Sequence, residues 1–352
     1  MTDVWILGAA GRTGTLISKT LAAAGASLIL CGRSETNLRD LAGKSGGTTR
    51  VVVTKSNEDV RAELSKAGRI IAVNLIGPFA ETALPFINAC APGSSYLDLC
   101  NERAVTAEVL GLNSIAETSG RCLVSGAGWG VLAAESLTLK LRQGRPPATR
   151  VRVDMAPYID APGRVGETFA STIVNSMCRG AQIYENGQIA DAPLGAHAEA
   201  LTAPDGTAMR TGAFSSGDLE AAARASGAPS VVAASNMVPT TGIARSAMSA
   251  VQFLLGFNNV RNFAKRQMAN VVAKPRKGTG KPSWAHARMD WADGTTREAW
   301  LRAGEGMAFT SQVAAEVALR LWKNEGRPGA YTPGALFGPE LAEAAGAEFI
   351  LS

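Results

Sequence analysis

The apolar run Val4-Trp5-Ile6-Leu7 leads straight into Gly8-Ala9-Ala10-Gly11-Arg12-Thr13-Gly14, and an alanine-rich stretch follows. Glycines spaced this way between a strand and a helix can cradle a pyrophosphate. Gly8 lets the chain leave the strand sharply, Gly11 removes a side chain where phosphate would approach, and Gly14 lets the helix pack close. The backbone around Ala10 and Thr13 and the first amides of the helix would face the anion, which their partial positive charge favours. A second apolar run, 27–31, ends in Gly32-Arg33-Ser34. An acidic residue there would bind the ribose 2′-hydroxyl of NAD. A cation and a hydroxyl suit the 2′-phosphate of NADP instead, and Arg12 could add a second cation. Alternatively, Arg33 is a solvated arginine at a helix entry, and Arg12 is the same.

Further candidates fall at later strand ends. Asn74 is polar within an apolar run, and either bonds loop backbone or faces the cofactor. Gly77-Pro78-Phe79 follows it. Proline would stiffen that loop, and Phe79 would pack on the nicotinamide or, alternatively, join the core. Asn101 and Glu102 follow the next strand, where Glu102 could bind a ribose hydroxyl, act as an acid, or simply answer a helix dipole. Asp98 reads as structural. Trp129 is a candidate floor for a substrate pocket or a packing aromatic. Glu167 and Thr168 are candidates for substrate contact. Tyr158 and His197 join Glu102 as weak candidates for a proton donor. No nucleophilic triad or carboxylate pair can be assembled, and no His/Cys spacing suits a metal.

The elements that must position these groups alternate. Strands are expected at 4–7, 27–31, 50–53, 69–75, 95–99 and 121–124. Helices are expected at 13–24, 35–42, 57–67 (with Asn57 as N-cap), 82–90 and 104–118. This is the pattern of a doubly wound parallel sheet, whose ligands lie beyond the carboxyl ends of the strands. From about Thr149 the pattern changes to short alternating strands, a helical stretch at 166–179, and a hairpin around Asp293-Gly294. The expected organisation is α/β: a Rossmann domain over 1–135, an α+β substrate or dimerisation domain with a mixed or antiparallel sheet over 136–325, and a segment, 326–352, returning to the first domain. Residues 185–211, rich in Ala, Gly and Pro, read as a lid or a long surface loop.

Composition bounds the rest. The chain has 352 residues, 46% hydrophobic and 18% charged, with a net charge of +5. That describes a globular protein rather than a disordered one. Five cysteines without a C-x-x-C pair read as free thiols of a reducing compartment. The N-terminus enters a strand directly, with no leader-like stretch, so a cytoplasmic location is expected. The apolar run from Ser246 to Phe257 is too short to span a bilayer, and reads as a buried helix or as a patch facing lipid, a partner or an acyl substrate. The basic run Lys274-Pro275-Arg276-Lys277 reads as a solvated loop. Nothing suggests nucleic-acid binding, and a homodimer is the expected assembly.

Taken together, Gly8–Gly14, Cys31-Gly32-Arg33-Ser34, 73–79, 96–102 and 126–130 resemble the saccharopine dehydrogenase-like oxidoreductases. These include the shorter bacterial members and the trans-acting enoyl reductases. The C-terminal Tyr331-Thr332-Pro333-Gly334 resembles the family's closing motif. The resemblance implies an NAD(P)-binding Rossmann domain, a substrate domain on a mixed sheet, and hydride transfer. The chain departs from the family at Asn101, where glycine is common, and at Trp129-Gly130-Val131-Leu132, where an acidic and a hydroxyl group are missing. The leading expectation is an NADPH-dependent reductase of an activated C=C or C=N bond in a rather apolar small molecule. The alternatives are an opine-type dehydrogenase that anchors carboxylates on Arg164, Arg179, Arg210 and Arg245, and a non-catalytic NADP(H)-binding scaffold.

Overall fold

Strands buried along both faces need helices above and below them, and the chain supplies both. The computed structural model describes residues 2–160, 163–164, 170, 174, 180–242, 248, 251–252, 254–273 and 280–351. Its first half runs β1 (Val4–Leu7), α1 (Arg12–Ala23), β2 (Leu28–Gly32), α2 (Glu35–Ser45), β3 (Thr49–Val53), α3 (Asn57–Lys66), β4 (Ile71–Asn74), α4 (Phe79–Ala89), β5 (Ser95–Asp98) and β6 (Cys122–Val124). All residues of β1, β2 and β4 are buried. These strands form a parallel sheet with a seventh, Gly329–Tyr331, in the order Gly329–Tyr331, β6, β5, β4, β1, β2, β3. The winding reverses between β1 and β4, the switch point where such sheets take their ligands.

Local boundaries differ from expectation for identifiable reasons. Ser56, not Asn57, caps α3: its hydroxyl accepts the Asp59 amide at 3.1 Å while the Asp59 carboxylate accepts the Ser56 amide at 3.0 Å. That reciprocal capping box outcompetes the neighbouring asparagine. The expected 104–118 helix is two, Arg103–Gly111 and Asn113–Thr118. Four described cysteines, Cys31, Cys90, Cys100 and Cys122, are free and buried, and burial pushes the Cys90 and Cys122 thiols up to about 11. Reactive thiols have lowered values, so these two act as small apolar groups.

The chain divides into two compact units. The first is Met1–Cys100, Ala104–Trp129 and Met307–Phe337; the second is Asn101–Arg103, Gly130–Gly306 and Gly338–Ser352. The C-terminal region is therefore divided between the two units. The Gly306–Trp322 helix falls almost wholly in the first unit, and the last strand, Glu348–Leu351, pairs in the second unit with Thr296–Ala303.

The second unit is built on a nine-stranded mixed sheet. Arg150–Ala156 pairs in parallel with Ser230–Ser235 and antiparallel with Ser283–Asp290, and Ser283–Asp290 forms the expected hairpin with Thr296–Ala303. The stretch read as a lid or loop instead contains the strands Gln188–Ala192, Glu199–Thr202 and Ala208–Ala213. Their partners are Ala181–Glu185, one another, and Ser230–Ser235. Cross-strand pairing overrides the weak strand propensity of Ala and Gly here.

Candidate cofactor site

The end of β1 is held to the end of β2. The amides of Gly8 and Ala9 both donate to the Cys31 carbonyl, at 2.9 and 3.1 Å. Gly8 has φ +86°, a left-handed conformation that favours glycine. A Cβ on Gly14 would lie 2.5 Å from the Ala9 carbonyl oxygen and 2.7 Å from its Cα, so α1 approaches the turn as only glycine allows. Gly11 occupies the N-cap of α1, no side chain caps it, and the first turn holds no acidic residue. Ala10, Gly11, Arg12 and Arg33 are exposed on the adjoining ends of β1 and β2, while Thr13 is half-buried and Gly32 is buried. Ser34 has a local task as the N-cap of α2, its hydroxyl facing the Asn37 amide at 3.4 Å. This turn, with Arg12 and Arg33 exposed beside it, has the form that holds the pyrophosphate of a dinucleotide.

The ends of β4, β5 and β6 are tied by buried polar side chains. Asn74 Nδ2 donates to Thr82 Oγ1 at 3.1 Å and to the Tyr96 hydroxyl at 3.0 Å, and its Oδ1 accepts the Ile76 amide at 3.0 Å. Tyr96 donates to Asp98 Oδ2 at 3.1 Å. Asp98 Oδ1 accepts the amides of Cys100 and Gly126 and the Ser125 hydroxyl, each at 3.0 Å. Burial raises the Asp98 carboxyl even against these donors. Asn74 thus bonds the backbone that enters the Gly77-Pro78 loop. Phe79 lies in the buried core with Phe86 and Tyr96, and Gly77 and Pro78 are half-buried.

Asn101 and Glu102 group with the second unit, not with the strand that precedes them. The Asn101 carbonyl accepts the Gly217 amide at 3.0 Å. Next to them, Arg103 donates to Glu220 at 2.7 Å and to Gln182 at 2.6 Å. Trp129 is buried in the first unit, edge-on to Phe309 with ring centroids 5.4 Å apart. Its indole N–H is buried without a hydrogen-bond partner among the described residues. Tyr158 follows the Arg150–Ala156 strand, its amide donating to Ser283 Oγ at 3.0 Å. His197 is exposed at φ +50°, and its carbonyl accepts from Arg152 at 2.8 Å. Glu167 and Thr168 lie outside the described residues, as do Arg179 and Arg245, while Arg210 is exposed.

Two arrangements were not legible in the sequence. The first sets a buried carboxyl against the glycine that follows Trp129. Asp218, on the Gly217–Ser226 helix, sets its carboxyl group against Gly130, where a Cβ would come within 3.0 Å of Asp218 Cγ. Gly130 lies in the first turn of the Trp129–Arg142 helix, whose dipole favours a nearby anion. Asp218 Oδ1 is nevertheless buried without a hydrogen-bond partner among the described residues, and burial raises the carboxyl to about 6. The folded state therefore holds this proton more tightly than the unfolded chain. Stability from this group is present at low pH and is lost as pH rises from about 4 to 6. Asp218→Asn should remove that loss, gaining on the order of 2 kcal/mol at neutral pH in urea unfolding. An unchanged pH profile across that window would sink the assignment.

The second arrangement is a buried charge cluster. Asp154 accepts from Arg152 Nε at 2.9 Å, from Thr211 Oγ1 at 2.6 Å and from His286 Nδ1 at 3.1 Å, the last as the tautomer with Nδ1–H. The one available signal was that Arg152 and Asp154 follow Arg150 on one face of a strand whose other face is apolar.

No protein-family model matches the chain. Trans-acting enoyl reductases of Mycobacterium bovis and Mycobacterium tuberculosis are 29% identical to it over 106 residues, covering 28% of this chain and 25% of theirs. The match thus spans about a quarter of those curated relatives. The solved saccharopine dehydrogenase (L-Glu forming) of Saccharomyces cerevisiae superposes over 99% of this chain and 100% of its own, with a TM-score of 0.60 and 12% identity.

Proposed function

From a chain with the saccharopine dehydrogenase-like fold, we propose an NADPH-dependent reductase that delivers hydride to an activated C=C or C=N bond of a rather apolar small molecule. The observation that carries this reading is the β1–α1 turn: Gly14 against the Ala9 backbone, an uncapped helix N-terminus, and Arg12 and Arg33 at the rim. The reduced nicotinamide supplies the hydride when bound. The chain's residues bind and orient: the turn and first α1 amides hold the pyrophosphate, and Arg33 with Arg12 holds the 2′-phosphate. Buried Asn74, Tyr96 and Asp98 keep the strand-end loops in place. Preorganised positioning is the chain's main contribution to rate. The short sequence match to enoyl reductases supports a C=C bond conjugated to a carbonyl as the first bond to test.

A fluorescence titration with NADPH and NADH checks the cofactor half. Losing one charge-assisted contact costs about 1.5–3 kcal/mol, or roughly 10- to 150-fold in affinity. Arg33→Ala should weaken NADPH by that factor and leave NADH unchanged. Equal affinities in wild type would refute the 2′-phosphate assignment. NADPH oxidation with a panel of enals, enones and cyclic imines then checks the chemistry.

A further inference from the structure

The stretch from Val251 to Val271 contains six of the eleven exposed large hydrophobic side chains among the described residues: Val251, Leu254, Phe257, Val260, Phe263 and Val271. Scattered apolar side chains on a surface need no explanation, but a concentration on one segment does. The Asn258–Asn270 helix has no buried residue. At helical spacing Val260 and Phe263 lie on adjacent positions of one arc, Val271 follows just past the helix end, and Phe263 is 62% exposed. Arg261 and Lys265 are half-buried on the helix, and Arg266 is exposed.

The charge around this arc has one sign. From Asn236 to Lys281 the sequence has eight basic residues and no acidic one, against a net charge of +5 for the whole chain. An exposed apolar arc flanked by cations matches the interface of an anionic bilayer, with apolar side chains at the acyl boundary and ammonium and guanidinium groups at the headgroups. A second copy of the chain fits poorly. A two-fold interface would set this all-basic segment against itself. No helix among the described residues is long and apolar enough to cross a membrane, so the fitting geometry lies along the surface.

We propose that the segment from Val251 to Val271 docks the protein reversibly on anionic lipid membranes. Apolar insertion alone is weak, and each cation near such a surface multiplies partitioning by about fivefold. Binding therefore needs both components. The proposal is independent of the reaction proposed above.

Co-sedimentation of the full chain with phosphatidylcholine vesicles, with and without phosphatidylglycerol, tests it. The expected result is binding to the anionic vesicles alone, abolished at molar salt, where charges are screened within about 3 Å. Phe263→Glu should weaken binding by about tenfold or more, and Arg266→Gln by about fivefold. Both should keep the far-ultraviolet circular dichroism and NADPH affinity of the wild type, since both positions are exposed. Equal binding to neutral vesicles, or full binding by Phe263→Glu, would overturn the proposal. So would a homodimer in solution that Phe263→Glu dissolves, because the arc would then face another copy.

Discussion

Gly14→Val is expected to abolish NADPH binding, lowering affinity by about a hundredfold or more, and to destabilise the protein by about 1–3 kcal/mol, the usual cost of overpacking. Every atom that the new Cβ would meet is backbone: the Ala9 oxygen at 2.5 Å, its Cα at 2.7 Å and its carbonyl carbon at 2.8 Å. Ala9 cannot retreat without breaking its 3.1 Å bond to the Cys31 carbonyl at the end of β2. Either α1 moves away from the phosphate position or the two strand ends separate, and both undo the cradle. Gly43→Ala, in α2, is the control, because a Cβ there meets nothing within 4 Å. It should keep full affinity and gain a few tenths of a kcal/mol or more from helix propensity. NADPH titration and urea unfolding of both variants measure this. A Gly14→Val protein with wild-type NADPH affinity would remove the turn from the site.

Asp154→Leu should cost about 3–5 kcal/mol, because it leaves Arg152 charged and buried with its best partner gone. Arg152 and Asp154 are 4% and 1% exposed. Burial alone would raise the Asp154 carboxyl, but the His286, Arg152 and Thr211 partners outweigh it and hold it below the usual range. Its contribution is therefore present above the ordinary carboxyl range and is lost as pH falls below it. The double variant Arg152→Met/Asp154→Leu should recover most of the loss, since replacing a whole buried pair by apolar groups is often neutral or better. A double variant as unstable as Asp154→Leu would mean that shape, and not charge, governs this cluster.

What could be read from sequence was what local rules decide. Gly8, Gly11 and Gly14 announced the β1–α1 turn because strand, turn and helix are contiguous there. The hairpin around Asp293-Gly294 was legible because its turn chemistry is local. The alternatives for Phe79 and Asn74 stayed open in the sequence because a strand end can face the core as well as a ligand, and their packing against Phe86, Tyr96 and Thr82 involves residues distant or unmarked in the chain. Asp218 was beyond reach because Gly130, against which it sets its carboxyl group, is remote in the chain. The strands between Gln188 and Ala213 looked like loop because their Ala and Gly content carries no strand signal without the neighbours that pair with them.

The interleaving of the two units also sets the order in which the protein can be completed as it is made. While the ribosome is still adding residues, β6 is an open edge of the first sheet and Thr296–Ala303 an open edge of the second. Gly329–Tyr331 covers one and Glu348–Leu351 covers the other, and each follows its partner strand in the chain. Exposed strand edges invite pairing with other chains. The β6 edge therefore stays uncovered while most of the second unit is being made.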